Sequence, residues 1–196
     1  DDIKFIESEM ANLETENQIT PGHTKLIPWI ETSKAVLQAF EICSSSTRII
    51  SVAFGAEDFT EDMGIQRQDD ESEVEFARNF TCIAAKAANI TSLDSPYFKF
   101  KDTAGLSKNC SLAAKIGFTG KFAIHPSQID QINQTFSPSQ QLINEAKNVL
   151  AAAKNASKNS HGTTSINGKL IDAPVIKRAK NLLQRAEIIT QTKKNS

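Results

Sequence analysis

The sequence predicts an α/β fold built on a parallel sheet, and three observations carry that expectation. Short apolar runs alternate along the chain with longer stretches in which apolar residues keep helical spacing, the pattern of strand, helix, strand, helix. Two of those runs, Leu26-Ile27-Pro28-Trp29-Ile30-Glu31 and Ile49-Ile50-Ser51-Val52-Ala53 followed by Phe54-Gly55-Ala56-Glu57-Asp58, close on carboxylates and are each followed by a helical pattern. The composition is that of a core-forming protein, 39% apolar and 23% charged over 196 residues, which is long enough to bury a real core.

Taken in order, Ile3, Ile6, Met10 and Leu13 recur at helical intervals among acids and predict an amphipathic helix that ends before Pro21-Gly22. Residues 26–31 read as a strand. Thr32 or Ser33 then caps a helix whose inward stripe is Val36, Ala39, Phe40 and Cys43. A second strand spans 47–53 and opens into the acidic loop that begins at Phe54. Val74, Ala77, Phe80, Ile83, Ala84 and Ala87 predict a long helix, and residues 90–94 a third strand ending in Asp94. Leu106 to Ile116 reads as a helix closed by Gly117, and residues 121–124 as a fourth strand ending at His125-Pro126.

Parallel strands joined by helices need right-handed crossovers. Four such strands are half of a (β/α)8 barrel, which takes eight and about 250 residues. Residues 1–136 are therefore expected to form a partial barrel of about four strands. Open strand edges are normally paired or covered, so the chain is expected to be a fragment or to pair with another chain.

Residues 137–196 are expected to form a helical extension. Ser137-Pro138-Ser139-Gln140 reads as a capping box with proline at the first helical position, leading to an apolar face of Leu142, Ala146, Val149, Leu150 and Ala153. Residues 154–164 read as a solvated linker, Asn167-Gly168 as a tight turn, and the stretch after Pro174 as a last helix with Val175, Ala179, Leu182 and Ala186 inward.

A net charge of -1 and an isoelectric point near 6.4 give no basic footprint for nucleic acid, and the composition is not that of a membrane protein. A small-molecule partner is expected. Cys43, Cys82 and Cys110 lack the close pairing of zinc sites or disulfide frameworks, and read as buried reduced thiols of an intracellular protein. The chain opens on Asp1-Asp2 rather than methionine, and the helix after it lacks the basic and apolar regions of a signal peptide; the true N-terminus, and any targeting signal with it, are expected to be missing.

The chemistry centres on the two strand ends. A buried strand that closes on glycine and then carboxylates can hold a hard cation, because oxygen ligands converge where strand ends meet. Asp58 leads as a ligand, and Glu31 closes the neighbouring strand. Read from local pattern alone, Glu31 is equally a strand-end acid beside a helix cap, Asp58 an N-cap or turn residue, Asp172 the acid of a helix start before Pro174, and His125 a loop histidine. Asp94 reads as a structural acid, and Glu57, Glu61 and Asp62 as a solvated acidic face.

Five ordered blocks nevertheless carry a resemblance: residues 26–32, residues 54–59 with Asp62 and Gly64, residues 120–126, Phe136-Ser137-Pro138-Ser139, and residues 168–174. Together they resemble the citrate lyase beta subunit and its relatives, including citramalyl-CoA lyase, of the HpcH/HpaI-type aldolase superfamily. The resemblance implies a (β/α)8 TIM barrel with a C-terminal helical extension, usually trimeric, of which this chain is the later part. It implies Mg²⁺ held by Glu31 and Asp58, which bind the substrate's hydroxyl and carboxylate through the metal, and a substrate carboxylate received by the backbone N–H groups of Ala56 and Glu57. Asp172, delivered into a neighbouring subunit's site, is implied in proton transfer, and Ile124 and His125 in binding near the CoA nucleotide. An arginine that contacts the substrate lies in the family's first half, and none here matches it. Asn167 and Met63 depart from the usual aspartate and leucine without removing a proposed ligand.

The implied activity is Mg²⁺-dependent cleavage of a 3-hydroxy-3-carboxyacyl thioester, citramalyl-CoA or a citryl thioester, to an acyl-CoA and a 2-oxo acid. The alternatives are a malate-synthase-like condensation of acetyl-CoA with a 2-oxo acid, and a non-catalytic half-barrel partner subunit. The expected compartment is the cytoplasm or the mitochondrial matrix.

Overall fold

The computed structural model describes residues 2–158, 164–166 and 169–194, and the chain divides into two compact units, residues 1–136 and 137–196. The first unit is a four-stranded, all-parallel sheet in sequence order, β1 (Trp29–Ile30), β2 (Ser51–Phe54), β3 (Thr91–Asp94) and β4 (Gly120–Lys121). Trp29 pairs with Ala53, Ser51 with Thr91, and Asp94 with Lys121, which sets the C-terminal ends of all four strands on one side.

The strands are shorter than the apolar runs that predict them. Leu26 bridges to Ile49 in parallel, but Pro28 has no N–H to give the ladder and regular pairing resumes only at Trp29. Beyond β4 the chain adds one more rung, Phe122 N–H to the Asp94 carbonyl at 3.1 Å. It then turns into a short 3₁₀ segment, Pro126–Gln128, so the fourth strand does not run to 124.

Helices pack on the sheet through a core that includes Ile30, Val52, Phe54, Val36, Ala39, Cys43, Val74, Cys110, Ala113 and Phe118. The helix expected after Thr32 is split at Gln38 into α2 (Ser33–Leu37) and α3 (Ala39–Ser44), and Phe40 is exposed rather than inward. After α4 (Ala56–Asp62), α5 (Glu75–Ala87) buries Ala77, Arg78, Thr81, Cys82, Ala84 and Ala85, leaving Ile83 and Ala87 outside. Its inward face is thus rotated from the predicted stripe. The cause is Arg78, which is drawn inward by the buried carboxylate of Asp94.

α6 (Thr103–Ile116) begins at Asp102, whose side chain accepts the Gly105 N–H, and stops at Gly117, whose φ of 121° suits only glycine. α7 (Ile129–Phe136) follows, a helix that the sequence reading passes over. At the N-terminus α1 (Asp2–Glu16) is helical as expected, yet its buried residue is Glu14 while Ile6 and Leu13 are exposed. Glu14 tolerates burial because it accepts two hydrogen bonds from Arg48 (2.8 and 2.7 Å) and the backbone N–H groups of Gly22 and Thr24.

The second unit is an α-hairpin with a small β-hairpin: α8 (Gln140–Lys158), β5 (Thr164–Ile166), β6 (Lys169–Ile171) and α9 (Ala173–Lys194). Ser139, not Ser137, caps α8 by accepting the Leu142 N–H at 3.2 Å, so Pro138 stands before the cap rather than at the first helical position. Helix α8 runs on to Lys158, into the stretch expected to be linker. The Asn167-Gly168 turn lies outside the described residues, while the strands beside it pair antiparallel with Ile166 opposite Lys169. No described helix is long and apolar enough to cross a membrane.

Candidate active site at the strand ends

Parallel pairing of β1 with β2 brings Glu31 and the Gly55–Asp58 segment together. The Gly55 N–H donates to the Ile30 carbonyl at 3.0 Å, which places Gly55 under the residue that follows β1. A Cβ on Gly55 would stand 2.7 Å from Glu31 Oε2 and 2.8 Å from Glu31 Cβ. Glycine is thus required there for space, since its φ of -106° is one that any residue adopts.

Asp58 occupies the first turn of α4, where an acid also complements the helix N-terminus. Burial, and then the neighbouring negative charge of Asp58, push the Glu31 carboxyl above its ordinary value. Among the described residues neither carboxylate has a hydrogen-bond or ion-pair partner in the chain. Two carboxylates that repel each other and lack a protein counter-charge fit Mg²⁺, which takes one or two protein acids and completes its shell with water and substrate oxygens. Among the described residues no group of three or more His, Cys, Asp or Glu gathers for a metal, so these two would be the whole contribution of the described residues.

The backbone donors divide unequally. The Ala56 N–H, expected to meet a substrate carboxylate, donates here to Ser95 Oγ at 2.9 Å in a buried contact. The Glu57 N–H has no such partner among the described residues. The Glu57 side chain is turned aside to Arg67, whose Nε donates to its Oε1 at 2.9 Å, and Arg67 also pairs with Glu71 and Glu73.

Around this centre, Thr32 caps α2 by accepting the Ala35 N–H at 3.1 Å. Asp62, read as part of a solvated face, accepts the Ser33 N–H at 2.7 Å. Hydrogen bonds from Ser33, through its side chain first and its backbone second, hold the Asp62 carboxyl below its usual range. Asp94 does not join the site. It is fully buried between Arg78 and Lys121, with donor distances of 2.6 to 2.7 Å, and is a structural acid.

Ile124 is exposed, its N–H donating to Gln128 Oε1 at 2.9 Å. His125 caps the 3₁₀ turn, with Nδ1 accepting the Ser127 N–H at 3.2 Å, and its ring stacks on Phe100 with centroids 4.9 Å apart. In the second unit, Asp172 Oδ1 accepts the Val175 N–H at 3.0 Å and caps α9. Ser95 escaped the sequence reading; its signal was a hydroxyl residue directly after a strand end.

The family model described as HpcH/HpaI aldolase/citrate lyase matches residues 1–126. The chain belongs to that family. It is 36% identical over 181 residues to the citrate lyase subunit beta of Leuconostoc mesenteroides subsp. cremoris, covering 92% of this chain and 60% of that protein. It is 32% identical over 174 residues to the mitochondrial citramalyl-CoA lyase of Rattus norvegicus, covering 85% of this chain and 52% of that one. The chain thus spans about half to three-fifths of the length of these relatives. Among solved structures it is similar to protein CitE from Mycobacterium tuberculosis in complex with magnesium, acetoacetate and coenzyme A. The TM-score is 0.70 at 29% identity, with 83% of this chain and 61% of that one covered.

Proposed function

We propose that this chain is the metal-binding part of a Mg²⁺-dependent carbon–carbon lyase that cleaves a 3-hydroxy-3-carboxyacyl thioester, citramalyl-CoA before citryl thioesters. The observation that carries the reading is the Glu31–Asp58 carboxylate pair, Glu31 following β1 against Gly55 and Asp58 in the first turn of α4 after β2, close enough for Asp58 to raise the Glu31 carboxyl and without a protein counter-charge among the described residues. The magnesium, acetoacetate and coenzyme A of the CitE complex support it.

When bound, Mg²⁺ supplies positive charge that favours the negative charge developing on substrate oxygens. In the cleavage the 3-hydroxyl proton passes to solvent water, the C2–C3 bond breaks, C3 becomes the keto carbon of a 2-oxo acid, and C2 takes the electron pair as a thioester enolate. Glu31 and Asp58 hold the cation and thereby orient the substrate, and the Glu57 N–H is the backbone donor left for its carboxylate. Asp172 gives the enolate its proton at C2, acting from the second unit of one copy in the site of another, within a trimer. Ile124 and His125 lie on the segment that meets the CoA nucleotide, where the exposed Phe100–His125 stack offers a flat surface.

The test is release of acetyl-CoA and pyruvate from citramalyl-CoA with and without Mg²⁺, beside the Asp58→Asn variant, together with Mg²⁺ binding to both proteins. Turnover that needs Mg²⁺ and Asp58 is the expected result. Unchanged Mg²⁺ affinity in Asp58→Asn would sink the metal reading. Formation of a 3-hydroxy-3-carboxyacyl thioester from acetyl-CoA and a 2-oxo acid without the cleavage would favour the condensing reaction instead.

A further inference from the structure

We propose that Asp62 is a positioning residue that sets the spacing of Glu31 and Asp58 by latching together the two segments that carry them, an inference that rests on the cation reading above. Asp62 stands one helical turn after Asp58 on α4, and its Oδ2 accepts the N–H of Ser33 at 2.7 Å. Ser33 is the first residue of α2 and lies two residues beyond Glu31, with only the cap Thr32 between them. Glu31 is therefore held on one side by the β1 ladder and on the other by a bond to the helix that carries Asp58.

Chemistry favours this pairing. The first N–H groups of a helix have no partner within it, and α2 has no acid in its own first turn. Asp62 supplies that acid from another element, in the short geometry of a charge-assisted bond. Among the described residues Ser33 is the one residue of α2 that hydrogen-bonds α4, through its N–H at 2.7 Å and with its side chain adding to the hold on the Asp62 carboxylate. Asp62 is itself exposed, so filling the core is not its role. The other ties of α4, Ala56 to Ser95 and Glu57 to Arg67, fix its first turn without reference to Glu31.

The experiment compares wild type with Asp62→Ala, Asp62→Asn and Ser33→Pro, reading Mg²⁺ affinity by titration calorimetry and thermal melting in EDTA. Ser33→Pro removes the N–H, and the Ser33 hydroxyl with it, from the other side of the latch. Proline suits a first helical position, and Thr32 already has the extended backbone, φ -135° and ψ 156°, that a residue before proline needs. Asp62→Ala and Ser33→Pro should each weaken Mg²⁺ binding by roughly tenfold, the size of effect that outer partners of metal ligands have. Their combination should weaken it no further. Asp62→Asn, whose side-chain oxygen still accepts the Ser33 N–H, should bind Mg²⁺ nearly as wild type does.

Wild-type affinity in Asp62→Ala and Ser33→Pro, with or without a lower melting temperature in EDTA, overturns the latch and leaves the cation site standing. Equal losses in Asp62→Asn and Asp62→Ala overturn it too, because charge rather than the bond would then be acting. No Mg²⁺ binding by wild type overturns both readings.

Discussion

Trp29 of β1 and Phe122, one residue beyond β4, pack ring against ring at a tilt of 34°, with centroids 4.6 Å apart, although their strands are the outer members of the sheet. In a flat sheet those strands lie about 14 Å apart, three spacings of about 4.8 Å, so the rings lean toward each other across β2 and β3. Trp29 also lies against Gly55, its Cε3 being 3.3 Å from the place a Cβ would take. It is the chain's single tryptophan, and its fluorescence therefore reports on the strand ends alone. Phe122→Ala should move the emission to longer wavelength and lower stability by about 1 kcal/mol, the worth of an aromatic pair. Unchanged emission would mean that the pair does not form in solution.

Asp94 is the hub of a buried charge group. It lies between Arg78 and Lys121, and all three are at least nine-tenths buried. Burial pushes its carboxyl up, but the charge of Lys121 and the hydrogen bonds and charge of Arg78 outweigh this and hold it below its ordinary value. Asp94→Ala leaves Lys121 in the interior without its carboxylate and Arg78 with Glu71 alone, and should cost about 3–5 kcal/mol in urea unfolding. A loss under about 1 kcal/mol would show that water reaches both cations.

Glu14 gives the pH dependence. The hydrogen bonds of Arg48, then those of Thr24 and Gly22, hold its carboxyl far below the ordinary 4.5, against the opposing effect of burial. A depressed folded-state value means that the stabilisation is full above the unfolded value and fades as pH falls through and below it. The melting temperature of wild type should exceed that of Glu14→Gln by a constant margin above about pH 6, and the margin should shrink below about pH 4.5. A margin that does not change across that range would show that charge is not what Glu14 contributes.

Asp172 separates two roles by substitution. Asparagine caps a helix as well as aspartate does, whereas alanine loses about 1 kcal/mol. Asp172→Asn should keep the melting temperature of wild type and lose most of its turnover with little change in substrate affinity. If Asn keeps activity and only Ala loses it, the residue is the cap of α9 and nothing more.

How much of this was legible in the sequence depends on the range of the interaction. Period and punctuation located α1, α5, α6 and the stretch of α2 and α3, because local spacing and residues such as Thr32 and Gly117 act within a turn of themselves, whereas α4 was read as an acidic loop. The phase of α5 was misread because apolar residues were taken as inward, while Arg78 is inward for an acid on β3 that no local pattern connects to it. Pro28 cut the first strand short through one missing donor. Glu31 and Asp58 were legible as candidates from their places after two apolar runs. The engagement of the Ala56 N–H by Ser95 and of Ser33 by Asp62 was not, since each joins residues more than 25 positions apart.

Cys43, Cys82 and Cys110 all lie buried in the first unit, with burial pushing each thiol up, for Cys43 to about 11. Residues 137–196 contain no cysteine. A thiol-reactive dye is therefore a clock for one unit only. Its uptake at neutral pH times the opening of the sheet and its helices, and a truncation or substitution confined to α8 or α9 changes that rate only if the two units share their stability.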